Sequence, residues 1–229
     1  MAQILFRPPV ATLPIQGSDD QFAVRNMWFF GLNYRDHAVS IGVDPDSVSP
    51  FMFGKPHSTL APDGVVLPMP TNTIMLNYEI ELVIAIGKGG KDIAEEDARG
   101  HVFGFAAGID LTKADLLGKQ REKGLPWTIA KAFDQSSPLA AIRPIADIDG
   151  EIDTARIWLE VNGETRQDST IDDMLAPINK MIAFASSHAE LKPGDLIWTG
   201  TPAGVAPLQI GDKVTGGIAG VGDVSMTVA

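Results

Sequence analysis

The sequence predicts a β-rich α+β fold with a mixed or antiparallel β-sheet and a few short helices. Three observations lead to this fold class. Short apolar runs bounded by Gly, Pro or Asp dominate the chain, and 23 glycines and 16 prolines are scattered through it as turn residues. Strand-like and helix-like segments also show no regular βαβ alternation, so a doubly wound parallel sheet is not expected.

The predicted strands are apolar, extended-looking runs. They cover residues 23–31, 76–87, 102–109, 156–161, 196–199 and 224–228. An Asn-Gly pair at residues 162–163 follows one of these runs and precedes another extended segment. Because Asn-Gly suits the positive φ angles of a tight turn, it predicts a β-hairpin there.

Three helices are predicted from local signals. Pro177 suits the first turn of a helix, and one apolar stripe follows it: Ile178, Met181, Ile182 and Ala185. A second helix is expected over residues 112–122, directly after a strand. A third, shorter helix is expected over residues 34–41.

Composition limits the organisation of the chain. With 229 residues, 45% of them hydrophobic, the sequence can bury one substantial core, and no linker or internal repeat divides it. We predict an N-terminal arm at residues 1–22 and a single catalytic domain at 23–229. The first 25 residues lack a signal-peptide pattern and the apolar runs are too short to cross a bilayer, so we expect a cytoplasmic protein without membrane contact.

Cysteine usage and charge exclude several function classes. The chain contains no cysteine, which excludes disulfides, thiolate zinc sites and iron–sulfur ligation. Its net charge of −11 argues against a nucleic-acid partner, which would require clustered Lys and Arg. An anionic ligand would therefore need local cations, and a bound divalent metal is one source.

Two glutamates, Glu79 and Glu81, precede the apolar run at residues 82–86. In an extended chain they point to the same face, about 7 Å apart along the strand. Beyond them both faces of the run are apolar, as in a strand covered on both sides. Two like charges at such a site repel each other and lose hydration, and a divalent cation would neutralise both.

A third carboxylate, Asp110, ends the run at residues 102–109. If the two strands lie near each other, Glu79, Glu81 and Asp110 converge. Hard oxygen ligands favour Mg²⁺ or Mn²⁺, with Ca²⁺ possible, and three protein ligands leave open positions for substrate and water. The alternative is structural: a solvated Glu-x-Glu face, with the aspartate as a helix cap.

Four further segments carry polar groups in apolar surroundings. His37 follows a buried strand in "GLNYRDHAVSIG", a natural position for a catalytic residue on a loop. Lys55 lies within "PFMFGKP", and Lys131 within "LPWTIAKAFDQSSP". In "GDLIWTGTPAGV" a strand leads into a tight turn whose backbone amides and Thr201 hydroxyl could hold a carboxylate.

These segments, in this order, resemble the fumarylacetoacetate hydrolase family. The motifs are N-Y-x-x-H, F-x-x-K-P, Y-E-x-E-L, G-x-D-x-T, K-x-F-D and G-D-x-I-x-T-G-T-P-x-G-V, spread over residues 24–228. The sequence is most similar to the short bacterial fumarylpyruvate and acylpyruvate hydrolases. The resemblance implies a β-roll of the family's C-terminal-domain type, a homodimer, and Mg²⁺ or Mn²⁺ held by Glu79, Glu81 and Asp110.

The resemblance also implies a reaction, the hydrolysis of a C–C bond in a 2,4-dioxo acid. For fumarylpyruvate, the products would be fumarate and pyruvate. His37 would activate the attacking water and Lys131 would stabilise the developing negative charge. Lys55 and Thr201 would bind substrate carboxylates. The residues that surround the acyl group are not identified, and residues 43–49 and 118–127 are candidates for a closing loop.

Three positions depart from the family pattern. Ser40 stands where a glutamate usually orients the histidine, Ala114 replaces an arginine, and Leu117 replaces a glutamine. Serine carries no charge, so it cannot stabilise an imidazolium as a carboxylate does. Two alternatives therefore stay open: an oxaloacetate decarboxylase or oxo-acid tautomerase, and a weakly active or non-catalytic protein that binds oxo acids.

Overall fold

A computed structural model describes residues 5–6 and 9–229 of the chain. Its helices are α1 (Arg35–Ser40), α2 (Ala114–Glu122), α3 (Thr128–Lys131) and α4 (Ile178–His188). Its strands are β1 (Thr12–Pro14), β2 (Gln21–Ala23), β3 (Met27–Phe30), β4 (Met52–Lys55), β5 (Leu60–Pro62), β6 (Val65–Leu67), β7 (Leu76–Asn77), β8 (Ile80–Ile86), β9 (Val102–Ile109), β10 (Thr112–Lys113), β11 (Ser137–Leu139), β12 (Arg143–Pro144), β13 (Arg156–Val161), β14 (Glu164–Thr170), β15 (Leu196–Trp198), β16 (Lys213–Ile218) and β17 (Gly222–Val228). Short 3-10 helices connect several of them, the longest at Glu95–His101.

Two sheets form the body of the protein. The larger sheet has the order β4-β3-β15-β8-β9-β11-β5, with β12 added beside β9, and the second has the order β14-β13-β16-β17-β6. Most neighbours are antiparallel, but β15 pairs with β3, β11 with β5, and β17 with β6 in parallel. The predicted β-rich α+β class with a mixed sheet is confirmed.

Strand β8 lies in the middle of the larger sheet and is buried on both faces. Its alternate residues enter different cores, because successive side chains of a strand point to opposite faces. Ile80, Leu82 and Ile84 belong to the large core shared with the second sheet, whereas Val83 and Ala85 belong to a smaller core on the other face. The predicted double coverage of this strand is therefore confirmed.

The predicted single strand at residues 76–87 is wrong at one point. The chain leaves β7, which pairs with β10, and re-enters the larger sheet at β8, so Glu79 lies on the break between two strands. At this break, the backbone hydrogen bonds are made with groups outside β7 and β8. The Ile80 N–H donates to the side-chain oxygen of Gln167 (3.0 Å), and the Glu79 carbonyl accepts from the Asp110 N–H (2.8 Å).

The local turn and helix predictions are largely confirmed. Asn162 and Gly163 have φ angles of 55° and 80° and connect β13 to β14 as a hairpin. Pro177 caps α4, whose buried face carries the predicted apolar stripe. The helix predicted at residues 112–122 starts later, at Ala114, because the two residues before it pair with β7 as β10.

The N-terminal segment contributes a small hairpin. β1 pairs with β2, and Leu13 and Phe22 pack into the smaller core beside Trp198. The boundary proposed between an arm and a catalytic domain at residue 22 stays a prediction. No helix among the described residues combines the length and apolar character needed to cross a membrane.

Candidate metal centre and pocket

The structure brings the three predicted carboxylates together where β8 begins and β9 ends, in the middle of the larger sheet. Each of Glu79, Glu81 and Asp110 offers an oxygen within 4.8 Å of the others. The antiparallel pairing of β8 with β9 causes this convergence, since Glu81 lies opposite Gly108 and Asp110 directly follows β9. Glu81 and Asp110 are only 1% exposed, and Glu79 is half-buried.

Positive and polar donors hold two of these carboxylates. Glu79 accepts hydrogen bonds from the Thr112 hydroxyl (2.6 Å) and from Nζ of Lys131 (3.0 Å). Asp110 accepts from Nζ of Lys131 (2.5 Å) and from Nζ of Lys55 (2.8 Å). Both oxygens of each side chain are therefore oriented by the protein.

Glu81 is held by the backbone. Its Oε2 accepts from the N–H of Gly200 (2.9 Å), in the turn that follows β15. The sequence predicted that this turn could hold a carboxylate, and in the structure its amide holds one belonging to the protein. Gly204 closes the same turn at φ 102°, and a Cβ there would lie 1.9 Å from the carbonyl oxygen of Arg166. Glycine is therefore required for the close approach of turn and strand.

The electrostatics of this cluster suit a divalent cation. Burial raises the pKa of Glu81 well above its usual value, and the charges of Asp110 and Glu79 raise it further. Burial alone would lower the pKa of Lys131, but the carboxylates of Asp110 and Glu79 outweigh it and raise that pKa. Three convergent, deeply placed carboxylates are a hard-oxygen donor set, and a cation among them would remove their mutual repulsion.

His37 lies on α1 and lines the pocket above the acids, together with Lys131 and Thr201. Its Nδ1 is buried and has no hydrogen-bond partner among the described residues. Burial lowers the pKa of His37; the charge of Glu79 opposes this, and those of Lys131 and Arg121 reinforce it. The imidazole is therefore neutral near pH 7 and able to accept a proton.

Ser40 does not substitute for a carboxylate beside His37. It is exposed, and its hydroxyl donates to the backbone carbonyl of His37 (2.8 Å) within the same helical turn. The imidazole consequently has no charged partner from α1. This geometry agrees with the weak orientation of His37 that the sequence predicted.

Lys55 occupies a different place from the one expected of a substrate ligand. Its side chain is 0% exposed, and Nζ donates to Asp110 and to the carbonyl of Ser136, both at 2.8 Å. It is absent from the pocket lining. These contacts support a role in orienting Asp110, and the predicted contact with a substrate carboxylate stays a prediction.

Thr201 lines the pocket, and Gln167 orients it. The Gln167 side-chain amide donates to Oγ1 of Thr201 (2.9 Å) and to the carbonyl of Pro202 (2.8 Å). Because Thr201 accepts from Gln167, its own hydroxyl hydrogen remains free to point into the pocket. Gln167 was not predicted. It lies in the largely polar strand β14, where no sequence signal separates it from its exposed neighbours.

Aromatic and aliphatic side chains form the remaining walls, and one cation lies among them. The wall residues are Phe30, Leu32, Phe51, Phe53, Leu117, Arg121 and Trp127. The loop expected at residues 118–127 is wrong for its first half, because residues 118–122 belong to α2. Arg121 and Trp127 of this segment line the pocket, whereas no residue of 43–49 does. Arg121 was missed, although helical spacing from Leu117 places both on one face of α2.

Fold and site together define a class: a β-rich α+β protein with a three-carboxylate cluster of cation-binding type at the base of an apolar pocket. The model of the family described as fumarylacetoacetate (FAA) hydrolase C-terminal matches residues 26–229. The chain therefore belongs to the fumarylacetoacetate hydrolase family, as its motifs indicated.

Individual relatives share this similarity over most of the chain. The fumarylpyruvate hydrolase of a Ralstonia species is 39% identical, over 81% of this chain and 96% of the relative. The mitochondrial oxaloacetate tautomerase FAHD1 of Arabidopsis thaliana is 36% identical, over 86% and 88%. The crystal structure of fumarylpyruvate hydrolase from Pseudomonas aeruginosa with Mn²⁺ and pyruvate is 42% identical, with a TM-score of 0.96 and 99% of both chains covered.

Proposed function

We propose that this chain is a metal-dependent hydrolase that cleaves the C–C bond of an acylpyruvate, a 2,4-dioxo acid such as fumarylpyruvate. One observation carries the proposal: Glu79 and Asp110, two members of the three-carboxylate cluster, line the same pocket as His37. The similarity to two fumarylpyruvate hydrolases, one of them solved with Mn²⁺ and pyruvate, supports it.

Glu79, Glu81 and Asp110 would hold the cation, which we propose to be Mg²⁺ or Mn²⁺, with Ca²⁺ possible. When bound, such an ion supplies Lewis-acid polarisation of an oxo acid. Glu81 enters this role by losing the proton that its raised pKa favours. Lys55 donates to Oδ1 of Asp110 and Thr112 donates to Oε1 of Glu79, and these hydrogen bonds would fix the two carboxylates in place.

The other pocket residues would perform the proton and charge steps. Neutral His37 accepts a proton from the attacking water, because its lowered pKa keeps the ring unprotonated near pH 7. The ammonium of Lys131 stabilises negative charge that develops on a substrate oxygen. The free hydroxyl hydrogen of Thr201 donates to a substrate carboxylate.

A second function, oxaloacetate tautomerisation, would use His37 with its unoccupied Nδ1. Moving a proton between the keto and enol forms needs no attacking water, so a base that accepts and returns one proton is sufficient. The similarity to oxaloacetate tautomerases supports this candidate. Decarboxylation of oxaloacetate is a further alternative, because it needs neither an attacking water nor removal of a C–H proton by a base.

One assay series separates these candidates. The purified protein is loaded with Mg²⁺ or Mn²⁺ and incubated with fumarylpyruvate, acetylpyruvate and oxaloacetate, and products are measured by chromatography and absorbance. We expect pyruvate release from an acylpyruvate that stops when a chelator is added. Asp110→Asn should abolish it, whereas the exposed Asp172→Asn should not. Turnover of oxaloacetate alone would select the second function, and binding without turnover would leave a non-catalytic oxo-acid binder.

We further propose a homodimer in the cytoplasm, as the family resemblance and the sequence predict. Light scattering should give twice the 24.4 kDa mass of one chain. A monomeric mass at the concentration of the assay would exclude the dimer.

A further inference from the structure

Arg121 occupies the outer part of the pocket, on the last turn of α2. It lies four residues after Leu117, so both side chains are on the helix face that lines the pocket. Its guanidinium lies 5.9 Å from the centre of the Trp127 ring, and Trp127 lines the same pocket. The aromatic ring gives the guanidinium a fixed surface to rest on.

The charge of Arg121 is not neutralised by the protein. In the part of the chain that the structure describes, its guanidinium forms no ion pair or hydrogen bond with a carboxylate, whereas Nζ of Lys131 is bound to Glu79 and Asp110. Arg121 is therefore the unpaired cation of the pocket lining. Because the chain has a net charge of −11, acidic side chains are plentiful, and yet none pairs with Arg121 among the described residues.

The chemical surroundings determine what this cation can bind. Much of the remaining lining is apolar, including Phe51, Phe53 and Leu117, and the other side-chain ammonium of the lining, Lys131, is bound to Glu79 and Asp110. A ligand carboxylate beside these walls would lose part of its hydration, and Arg121, an exposed residue that lines the pocket, can replace it with hydrogen bonds. A guanidinium offers it two parallel hydrogen bonds in the geometry of a carboxylate.

Resting on the proposed function, we propose that Arg121 is a specificity-determining residue that binds a carboxylate on the acyl group of the substrate. The chain then prefers 2,4-dioxo acids with a second, distal carboxylate to those whose acyl group ends in a methyl. The oxo-acid end of the substrate lies at the three-carboxylate cluster, and the distal carboxylate lies beside Arg121 and Trp127.

Comparing two acylpyruvates in the Mn²⁺-loaded enzyme tests the preference. Arg121→Gln should lower kcat/KM for fumarylpyruvate about 10- to 100-fold, the value of a charge-assisted hydrogen bond, and change that for acetylpyruvate less than about twofold. Arg121→Lys should recover part of the loss. Lys123→Gln is the matched control, since it removes one charge from the same helix end but does not line the pocket. Equal losses for both substrates, or no loss for either, would overturn the proposal.

A binding measurement keeps this inference separate from the hydrolase proposal. 2-Oxoadipate and 2-oxohexanoate share an oxo-acid end and a chain length, but only 2-oxoadipate carries a distal carboxylate. Calorimetry with the Mn²⁺-loaded protein should show tighter binding of 2-oxoadipate, and Arg121→Gln should remove that advantage while Lys123→Gln keeps it. If this holds and no acylpyruvate is cleaved, the hydrolase proposal fails and the role of Arg121 stands. If the Arg121→Gln protein retains the advantage, the role of Arg121 is excluded whatever the activity.

Discussion

On the acidic side of the pocket, both oxygens of Glu79 and of Asp110 have a hydrogen-bond donor within 3.0 Å, whereas Nδ1 of His37, on the α1 side, has none. The acidic side lies on paired strands and contacts buried lysines, whereas His37 lies on a helix of six residues. The acidic side is therefore preorganised and the imidazole is not. Under the proposed function, this difference predicts that proton transfer through His37 limits the rate more than binding of the oxo acid does.

Among the variants that test this comparison, Lys131→Met should have the largest effect on activity. The variant removes the ammonium that faces the pocket, and kcat of the Mn²⁺-loaded enzyme should fall about 100- to 1,000-fold, as for loss of an oxyanion donor. Mn²⁺ affinity should stay equal or increase, because the ammonium no longer competes for Glu79 and Asp110. Steady-state kinetics and calorimetry measure both, with the exposed Lys119→Met as control. An unchanged kcat would contradict the role given to Lys131.

Lys55→Met tests how much the acidic side depends on its buried support. Breaking this ion pair leaves one oxygen of Asp110 without a donor, and the free energy of unfolding should fall by about 3 kcal/mol. Urea denaturation of the cation-free protein measures the change. Lys119→Met should alter it by less than about 0.5 kcal/mol, because that side chain is exposed. A loss below about 1 kcal/mol would mean that Lys131 alone orients Asp110.

Glu81→Gln tests the charge of the cluster. It should weaken Mn²⁺ binding by about 100-fold. Removing a residue that only orients a metal ligand already lowers metal affinity by about 10- to 100-fold, and Glu81 is proposed to be a ligand itself. Because burial raises the folded-state pKa of Glu81 above 4.5, the folded protein binds up to one proton more than the unfolded chain between that pH and the raised pKa. The cation-free wild type should thus lose stability as pH rises from about 4.5 towards the raised pKa. Thermal unfolding measured at a series of pH values should show no such loss of stability in the cation-free variant. An equal loss in the variant would mean that another group causes it.

Ser40→Glu should give the smallest effect, a gain on the α1 side. A carboxylate one turn from His37 would raise the pKa of the imidazole and orient it, and hydrolysis should increase about five- to tenfold. The wild-type rate should fall only below about pH 6.5, because the lowered pKa keeps His37 unprotonated down to that pH. In the variant the rate should begin to fall at a higher pH. Ser40→Gln matches the size without the charge. If glutamine and glutamate behave alike, the absent charge is not what limits the rate.

The convergence of the three carboxylates could be predicted from the sequence because strand periodicity carries much of the information. Glu79, Glu81 and Asp110 all lie at ends of apolar runs, and such runs pair in one sheet. The break at Glu79 could not be predicted, because the partner that satisfies the next backbone N–H is the side chain of Gln167, 87 residues away.

The environment of the other polar residues depends on tertiary register. The pairing of β4 with β3, in which Met27 lies opposite Lys55, places the Lys55 side chain against Asp110. No local sequence pattern encodes that register. Arg121 is different, because the helix that carries it was predicted and Leu117 was already assigned to the site. Following the helical period by one more turn would have found it.

The junction between β9 and α2 is only a few residues long, since β10 ends at Lys113 and the helix begins at Ala114. Asp110 and the face of α2 that lines the pocket are therefore held at a fixed spacing along the chain. Under the proposed function, substitutions on that face would change which acyl groups are accepted and leave Asp110 in place. Divergence among homologous chains would on this basis accumulate on α2 before it reaches the strands.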